Sequence, residues 1–322
     1  MKQWLDRPLV LRKKTLPSSI WYAPLAGCSD FPFRQMAAPF RPGLLFCEMV
    51  KMEALIRLDP KTFRYLDYAF HTRPIGAQLC GSNPKIAGQA AKIIENLGFD
   101  LVDLNCGCPV DKVTKDGSGS GLLKEPARIG EILQEMVAAV QIPVTLKIRA
   151  GWDESRICVE EVVQIAEQAG ASAITVHGRT REQGYSGPAN REYIRRAKVA
   201  ARSILVLGNG DILDPASALS MWEETGCDGI LVARGTLGAP WIAEEIRAYL
   251  RGETKQVDEL ARSKQALQDH FFAVCRYHAP HKVPLEMRRI GCWYLKKGAF
   301  CRELRSQMSR VGSVEEIAAL LC

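Results

Sequence analysis

The feature that most limits what this chain can fold into is a repeated alternation. Eight short apolar runs recur at 19–27, 44–49, 74–81, 99–109, 143–152, 173–180, 204–211 and 229–237. Most are apolar nearly throughout, as parallel strands covered on both faces must be. Helical patterns separate them. Asn83 can cap a helix with Pro84 at its first position; Ile86, Ala90, Ile93, Ile94 and Leu97 share a face, and Gly98 can end it. Other helices open near Pro126 and at Asp214–Pro215, the latter closing near Gly226, and Val159, Val162, Val163 and Ala166 mark one ending at Gly170. Alternation of this kind implies right-handed crossovers and a parallel sheet. Eight repeats imply a closed cylinder, so the expected fold is α/β, a (β/α)8 TIM barrel. An open doubly wound sheet is the alternative, and the absence of GxGxxG after the first run counts against it.

The pattern changes near Arg251–Gly252–Glu253. Beyond it no strand-like run occurs. Residues 260–277 are amphipathic, Met287, Ile290, Gly291 and Tyr294 form a helical stripe, and 314–321 reads as a last short helix. The expected organisation is a barrel domain over 1–250 and a small all-helical C-terminal domain over 251–322.

Composition closes off several classes. The 47% hydrophobic and 25% charged content is globular and allows a sizeable core. No 18-residue apolar run exists and the N-terminus lacks a signal-peptide core, so neither a membrane span nor secretion is expected. Eleven cysteines in so long a chain read as reduced thiols of a cytoplasmic protein. Cys106 and Cys108 have no second cysteine–histidine cluster nearby, and no metal is expected. The net charge of +7 suits small anionic ligands or a polyanion.

Active sites of such barrels lie at the C-terminal strand ends. The first run ends in Ala23–Pro24–Leu25–Ala26–Gly27 and the second in Glu48–Met49, while the third carries Gln78. The fourth turns from Leu101, Val102 and Leu104 to Asn105, Cys106, Gly107, Cys108 and Pro109, the change expected where a strand leaves the core. A cysteine there is a candidate acid or nucleophile, or a small buried residue closing the strand. The fifth gives Lys147 and Arg149; the sixth His177, Arg179 and Arg181; the seventh Asn209–Gly210–Asp211; the eighth Ala233–Arg234–Gly235. Loops seven and eight commonly bind phosphate, and a buried lysine needs compensation that an electron-rich ring could give. A phosphorylated heterocycle such as FMN fits this rim. Singly, each residue has a plainer reading: Lys147 could pair with Glu48, His177 could be a satisfied core histidine, and Gly117–Gly121 reads as a flexible loop rather than a phosphate cradle.

The set resembles the tRNA-dihydrouridine synthase family, closest to its bacterial B-type subgroup. The resemblance rests on APLAGCSDFPFR (23–34), AQLCGS (77–82), LNCGCP (104–109), LKIRAGW (146–152), HGRTREQGY (177–185), NGDI (209–212), ARG (233–235) and MRRIGCWYLKK (287–297). It covers nearly the whole chain. Leu25 stands where Met is common and Ala233 where Gly is common. The resemblance implies an FMN enzyme that reduces a specific uridine of tRNA to 5,6-dihydrouridine with NADPH or NADH. Pro24, Leu25, Ala26, Gln78, Lys147, His177, Asn209, Gly210, Asp211, Ala233 and Arg234 would hold FMN, and Cys108 would be the catalytic acid.

The residues agree with that chemistry. Hydride from FMN N5 to C6 of uracil leaves an enolate that needs a proton at C5. A thiol with an ordinary pKa of about 8.5 is mostly protonated at neutral pH and can supply it. Asn105 and Arg149 are candidates to orient the uracil edge, and Lys147 to stabilise negative charge. The base must be turned out of the tRNA stack to reach a barrel mouth. Arg288, Arg289, Lys296, Lys297, Arg302, Arg305 and Arg310, with Trp293 and Tyr294, form the expected tRNA face. No protein partner is implied and a monomer is expected. An FMN-dependent barrel oxidoreductase of a free pyrimidine or other small metabolite is the alternative, and a non-catalytic RNA-binding barrel is a third.

Overall fold

The structure is a computed structural model that describes residues 2, 5–253, 257–295 and 299–321. A hairpin of β1 (Leu9–Leu11) and β2 (Lys14–Leu16) comes first. The barrel strands follow: β3 (Ile20–Tyr22), β4 (Leu45–Phe46), β5 (Val50–Lys51), β6 (Ile75–Cys80), β7 (Leu101–Cys106), β8 (Val144–Arg149), β9 (Ala173–His177), β10 (Leu205–Asn209) and β11 (Gly229–Val232). All their pairings are parallel, in the order β3-β11-β10-β9-β8-β7-β6-β4, with β5 also on β6. A bridge from Trp21 to Leu44 closes the ring, joined by the Tyr22 N–H to the Leu44 carbonyl at 2.9 Å. This is a nearly closed (β/α)8 barrel, and every expected apolar run supplies a strand. The second run yields β4, and β5 follows just past its end; between the two strands the Glu48 carboxylate accepts from the Gly27 N–H.

The helix signals act as read. Asn83 Oδ1 accepts from the Lys85 N–H at 3.1 Å ahead of the helix Pro84–Asn96. Asp214 and Ser217 form a reciprocal capping box ahead of Pro215–Thr225, and Gly226 ends that helix at φ +65°. The buried face of Pro84–Asn96 differs from the reading above. Ala87, Gly88, Ala90, Ala91 and Ile94 are buried, whereas Leu97 is exposed. Small residues let this helix lie close to Pro126–Ala139; a Cβ on Gly88 would stand 2.9 Å from the Glu135 carbonyl. Close backbone approach outweighed side-chain size there.

The hairpin was not foreseen. Leu9, Leu11 and Leu16 are buried with Leu101, Ala173, Leu207 and Leu231 at the N-terminal end of the barrel. Lys14 pairs with Asp100, and Arg12 Nη1 donates to the Val140 carbonyl at 3.1 Å, both beside strand starts. After the barrel come helices Glu259–Tyr277, Val283–Tyr294, Ala299–Met308 and Val314–Leu321. They share an apolar cluster that includes Leu267, Phe271, Met287, Ile290, Met308 and Ile317, with Trp241 from the barrel side. The stacked Phe31 and Tyr277 rings, 4.8 Å apart, join this group to the barrel's first loop. No described helix is long and apolar enough to cross a membrane.

Candidate active site

A cavity of about 420 Å³ opens at the C-terminal ends of the strands. Its wall contains Pro24, Leu25 and Ala26 after β3, Gln78 on β6, Asn105 on β7 and Cys108 beyond it. Lys147 and Arg149 of β8 follow, then His177 of β9, Asn209, Gly210 and Asp211 at the end of β10, and Ala233 and Arg234 after β11. Strand register places them. Gln78 lies beside Asp103 and Asn105 beside Lys147, while Arg149 and Asn209 both flank His177.

The wall between β8 and β11 is cationic. Burial lowers the pKa of Lys147 to about 8; Arg149 pushes the same way and Asp103 opposes. Glu48 is engaged by the Gly27 N–H, and no ion pair joins it to Lys147 among the described residues. Burial, followed by Lys147, Arg149, Arg179 and Arg234, holds His177 well below the ordinary histidine range. It is therefore a neutral imidazole at pH 7, able to donate or accept but not to carry charge. Asp211 organises the far side: it accepts from Arg179 at 2.6 Å, from the Ala189 N–H at 2.8 Å and from Arg234 at 2.7 Å. Gly210 has φ +120°, and a Cβ there would stand 2.6 Å from Ala189 and 3.0 Å from the His177 ring. Only glycine lets the backbone reach the cavity at that point.

The Cys108 loop is held on both sides. The Gly107 and Cys108 N–H groups donate to Asn105 Oδ1 at 3.1 and 2.9 Å. The Gly107 carbonyl accepts from Arg149 Nε at 3.0 Å, and the Cys108 carbonyl accepts from Ser120 Oγ at 2.9 Å. The segment expected to be a flexible loop at 117–121 enters a 3₁₀ helix, Gly119–Lys124, with Ser118 and Ser120 buried. Its packing against Cys108 gives the glycines a structural use: a Cβ on Gly119 would meet the Cys108 carbonyl at 2.9 Å. Arg149 Nη1 also serves the Thr180 and Gly184 carbonyls, at 2.7 and 2.8 Å.

Two residues escaped the sequence reading. Tyr185 lines the cavity, with Arg149 5.6 Å and Arg234 4.8 Å from its ring centre. Asp103 is fully buried beneath the cavity and accepts from Thr145 at 2.6 Å and Gln78 at 2.8 Å. Its signal was present as one charge inside the apolar run LVDLNC. Burial raises its pKa to about 6, against the pull of those bonds and Lys147.

Arg288 and Arg289 lie apart from the cavity wall. Arg288 Nε donates to the Val311 carbonyl at 2.9 Å, and Arg289 pairs with Glu286 and sits 5.3 Å from the Trp293 ring centre. Arg289 still reaches the barrel rim, since a Cβ on Gly27 would stand 3.0 Å from its Nη1. Lys296 and Lys297 lie outside the described residues. Tyr294, read as part of an exposed aromatic and basic face, is buried against His270, because the helix stripe it belongs to faces the cluster.

Fold and cavity define a class: a TIM-barrel protein whose mouth suits an anionic, hydrogen-bonding ring. The glycine approach at Gly210, the clustered cations and the neutral imidazole fit FMN, and the volume falls in the range of cofactor pockets. The chain belongs to the dihydrouridine synthase family, whose pattern it matches over residues 21–321. It is 36% identical over 319 residues to the probable tRNA-dihydrouridine synthase 1 of Synechocystis sp., covering 98% of this chain and 88% of that one. It is 38% identical over 299 residues to tRNA-dihydrouridine synthase B of Pseudomonas aeruginosa, covering 92% and 90%. Among solved structures, histamine dehydrogenase from Rhizobium sp. 4-9 shares the fold with a TM-score of 0.58 at 14% identity. That match covers 84% of this chain and 51% of the other, so the chain spans about half its length.

Proposed function

We propose that this chain reduces a specific uridine of tRNA to 5,6-dihydrouridine, with FMN as cofactor and NADPH or NADH as reductant. The observation that carries the reading is a single cavity shared by Cys108, Lys147 and a phosphate-suited wall at the end of β10 and β11. Pro24, Leu25, Ala26, Gln78, Lys147, His177, Asn209, Gly210, Asp211, Ala233 and Arg234 would hold FMN. The bound cofactor would supply hydride to C6 of the uracil. Cys108 donates the proton that C5 then needs, and its clamped backbone fixes where that proton sits. Lys147, protonated below about pH 8, offsets negative charge in the cavity. Asn105 and Arg149 line the place of the pyrimidine while bracing the Cys108 loop. Residues 1–250 act as the catalytic domain and 251–322 as the tRNA-recognition domain, to which Arg288 and Arg289 belong, with Arg289 beside the barrel rim at Gly27. The protein works as a cytoplasmic monomer.

The test uses purified protein reconstituted with FMN and assayed on tRNA lacking dihydrouridine and on free uridine, with either nicotinamide. Dihydrouridine formed in tRNA alone is expected. Turnover of the nucleoside would favour a small-metabolite reductase, and tRNA binding without FMN uptake would favour a non-catalytic RNA binder.

A further inference from the structure

Four side chains form one hydrogen-bonded line that runs from beneath the cavity up into its wall. Thr145 Oγ1 donates to Asp103 at 2.6 Å, Gln78 Nε2 donates to Asp103 at 2.8 Å, and Asn105 Nδ2 donates to Gln78 Oε1 at 2.7 Å. Asn105 Oδ1 then takes the N–H groups of Gly107 and Cys108. The order is forced from the far end. Backbone N–H groups cannot invert, so Asn105 must show them its oxygen and turn its NH₂ toward Gln78. Gln78 must answer with its oxygen, which leaves its NH₂ pointing at the next group. That group has to be an acceptor, and it is Asp103.

We propose that Asp103 is a positioning residue: by fixing the orientation of the Gln78 and Asn105 amides it sets the backbone at Gly107 and Cys108, and so the place of the Cys108 thiol. Carboxylate or carboxylic acid would both serve, since a proton on one oxygen can go to Thr145 while the other still accepts from Gln78. An apolar residue at 103 leaves no acceptor. The Gln78 amide is then free to turn over, the Asn105 amide follows, and two N–H groups in the loop lose their partner. Gly107 and Cys108 are half-buried, so the freed N–H groups turn partly to solvent and the loop loses its anchor. The consequence for protonation of uracil rests on the reading of Cys108 given above, but the alignment itself does not.

The experiment compares Asp103→Leu with Asp103→Asn in FMN-reconstituted full-length protein. In Asp103→Leu, hydrogen exchange at the Gly107 and Cys108 amides should rise about tenfold, with product formation on tRNA falling by a similar factor. Iodoacetamide alkylation of Cys108, followed by peptide mass spectrometry, should change in rate alongside. Asp103→Asn keeps an acceptor for Gln78 and should hold all three readouts within about threefold of wild type. Should Asp103→Leu not fold, Gln78→Met cuts the line one step later and should give the same faster exchange. Unchanged exchange at these two amides in a folded Asp103→Leu or Gln78→Met protein overturns the proposal. So does an Asp103→Asn protein as impaired as Asp103→Leu, which would mean the charge rather than the alignment is what matters. Wild-type protein inactive on tRNA would defeat the functional reading, while the exchange rates would still decide this one.

Discussion

The barrel mouth and the C-terminal helices both carry many cations, and they use them differently. At the mouth, strand register fixes each side chain against its neighbours, and Lys147, Arg149 and Arg234 line one cavity. On the helices, several arginines are committed to local bonds. Arg288 holds the Val311 carbonyl, Arg305 the Leu295 carbonyl and Arg289 the Glu286 carboxylate. Arg302 and Arg310 stay exposed. Arg149 and Arg234 also brace their surroundings, through the Gly107 carbonyl and Asp211, but they do so while facing a shared cavity, which the braced helix arginines do not.

The sharpest contrast comes from Cys108→Ala. It should lower product formation by about a hundredfold or more, the size of a lost general acid, with FMN retention and thermal stability unchanged. Full activity would remove the thiol from the mechanism. Next in size is Lys147. Its charge is present below about pH 8 and is lost as pH rises through that value, so FMN affinity should weaken across this window in a fluorescence titration. Lys147→Met should weaken affinity about tenfold at pH 7 and flatten the pH dependence, as loss of a charge-assisted contact predicts. A smaller effect is expected on the helices. Arg302→Glu combined with Arg310→Glu should reduce tRNA affinity several-fold and make the salt dependence shallower, with NADPH oxidation by the flavin untouched. A loss there as large as that of Cys108→Ala would erase the distinction between the two regions. Smallest is Tyr294→Phe, which removes the hydroxyl 3.2 Å from His270 Nδ1 and should cost about 1 kcal/mol of stability in a denaturant titration, without altering tRNA affinity.

Much of the barrel was legible because its signal is repetitive. Most strands are apolar nearly throughout, and polar residues toward their ends mark the mouth. The cavity residues Gln78, Lys147 and Asn209 could be read by counting to strand ends. What could not be read depends on contacts distant in sequence. The pairing of Leu9 and Leu16 with Leu101 and Leu207 gives no local sign. Asp103 shows a misplaced charge, but its partner Gln78 is 25 residues away. Tyr294 could be read two ways, as part of the apolar stripe with Met287 and Ile290 or of the basic face beside Trp293; the stripe reading holds, because that side of the helix meets Trp241.

The β1–β2 hairpin has a consequence for how the cylinder holds together. Leu9, Leu11 and Leu16 pack with Leu101, Ala173, Leu207 and Leu231, which belong to β7, β9, β10 and β11. One short ribbon thus ties together staves drawn from across the second half of the barrel. Fraying of residues 9–16 would bare the apolar underside of all four at once, so the hairpin acts as a binding hoop for the cylinder, far from any group that performs chemistry.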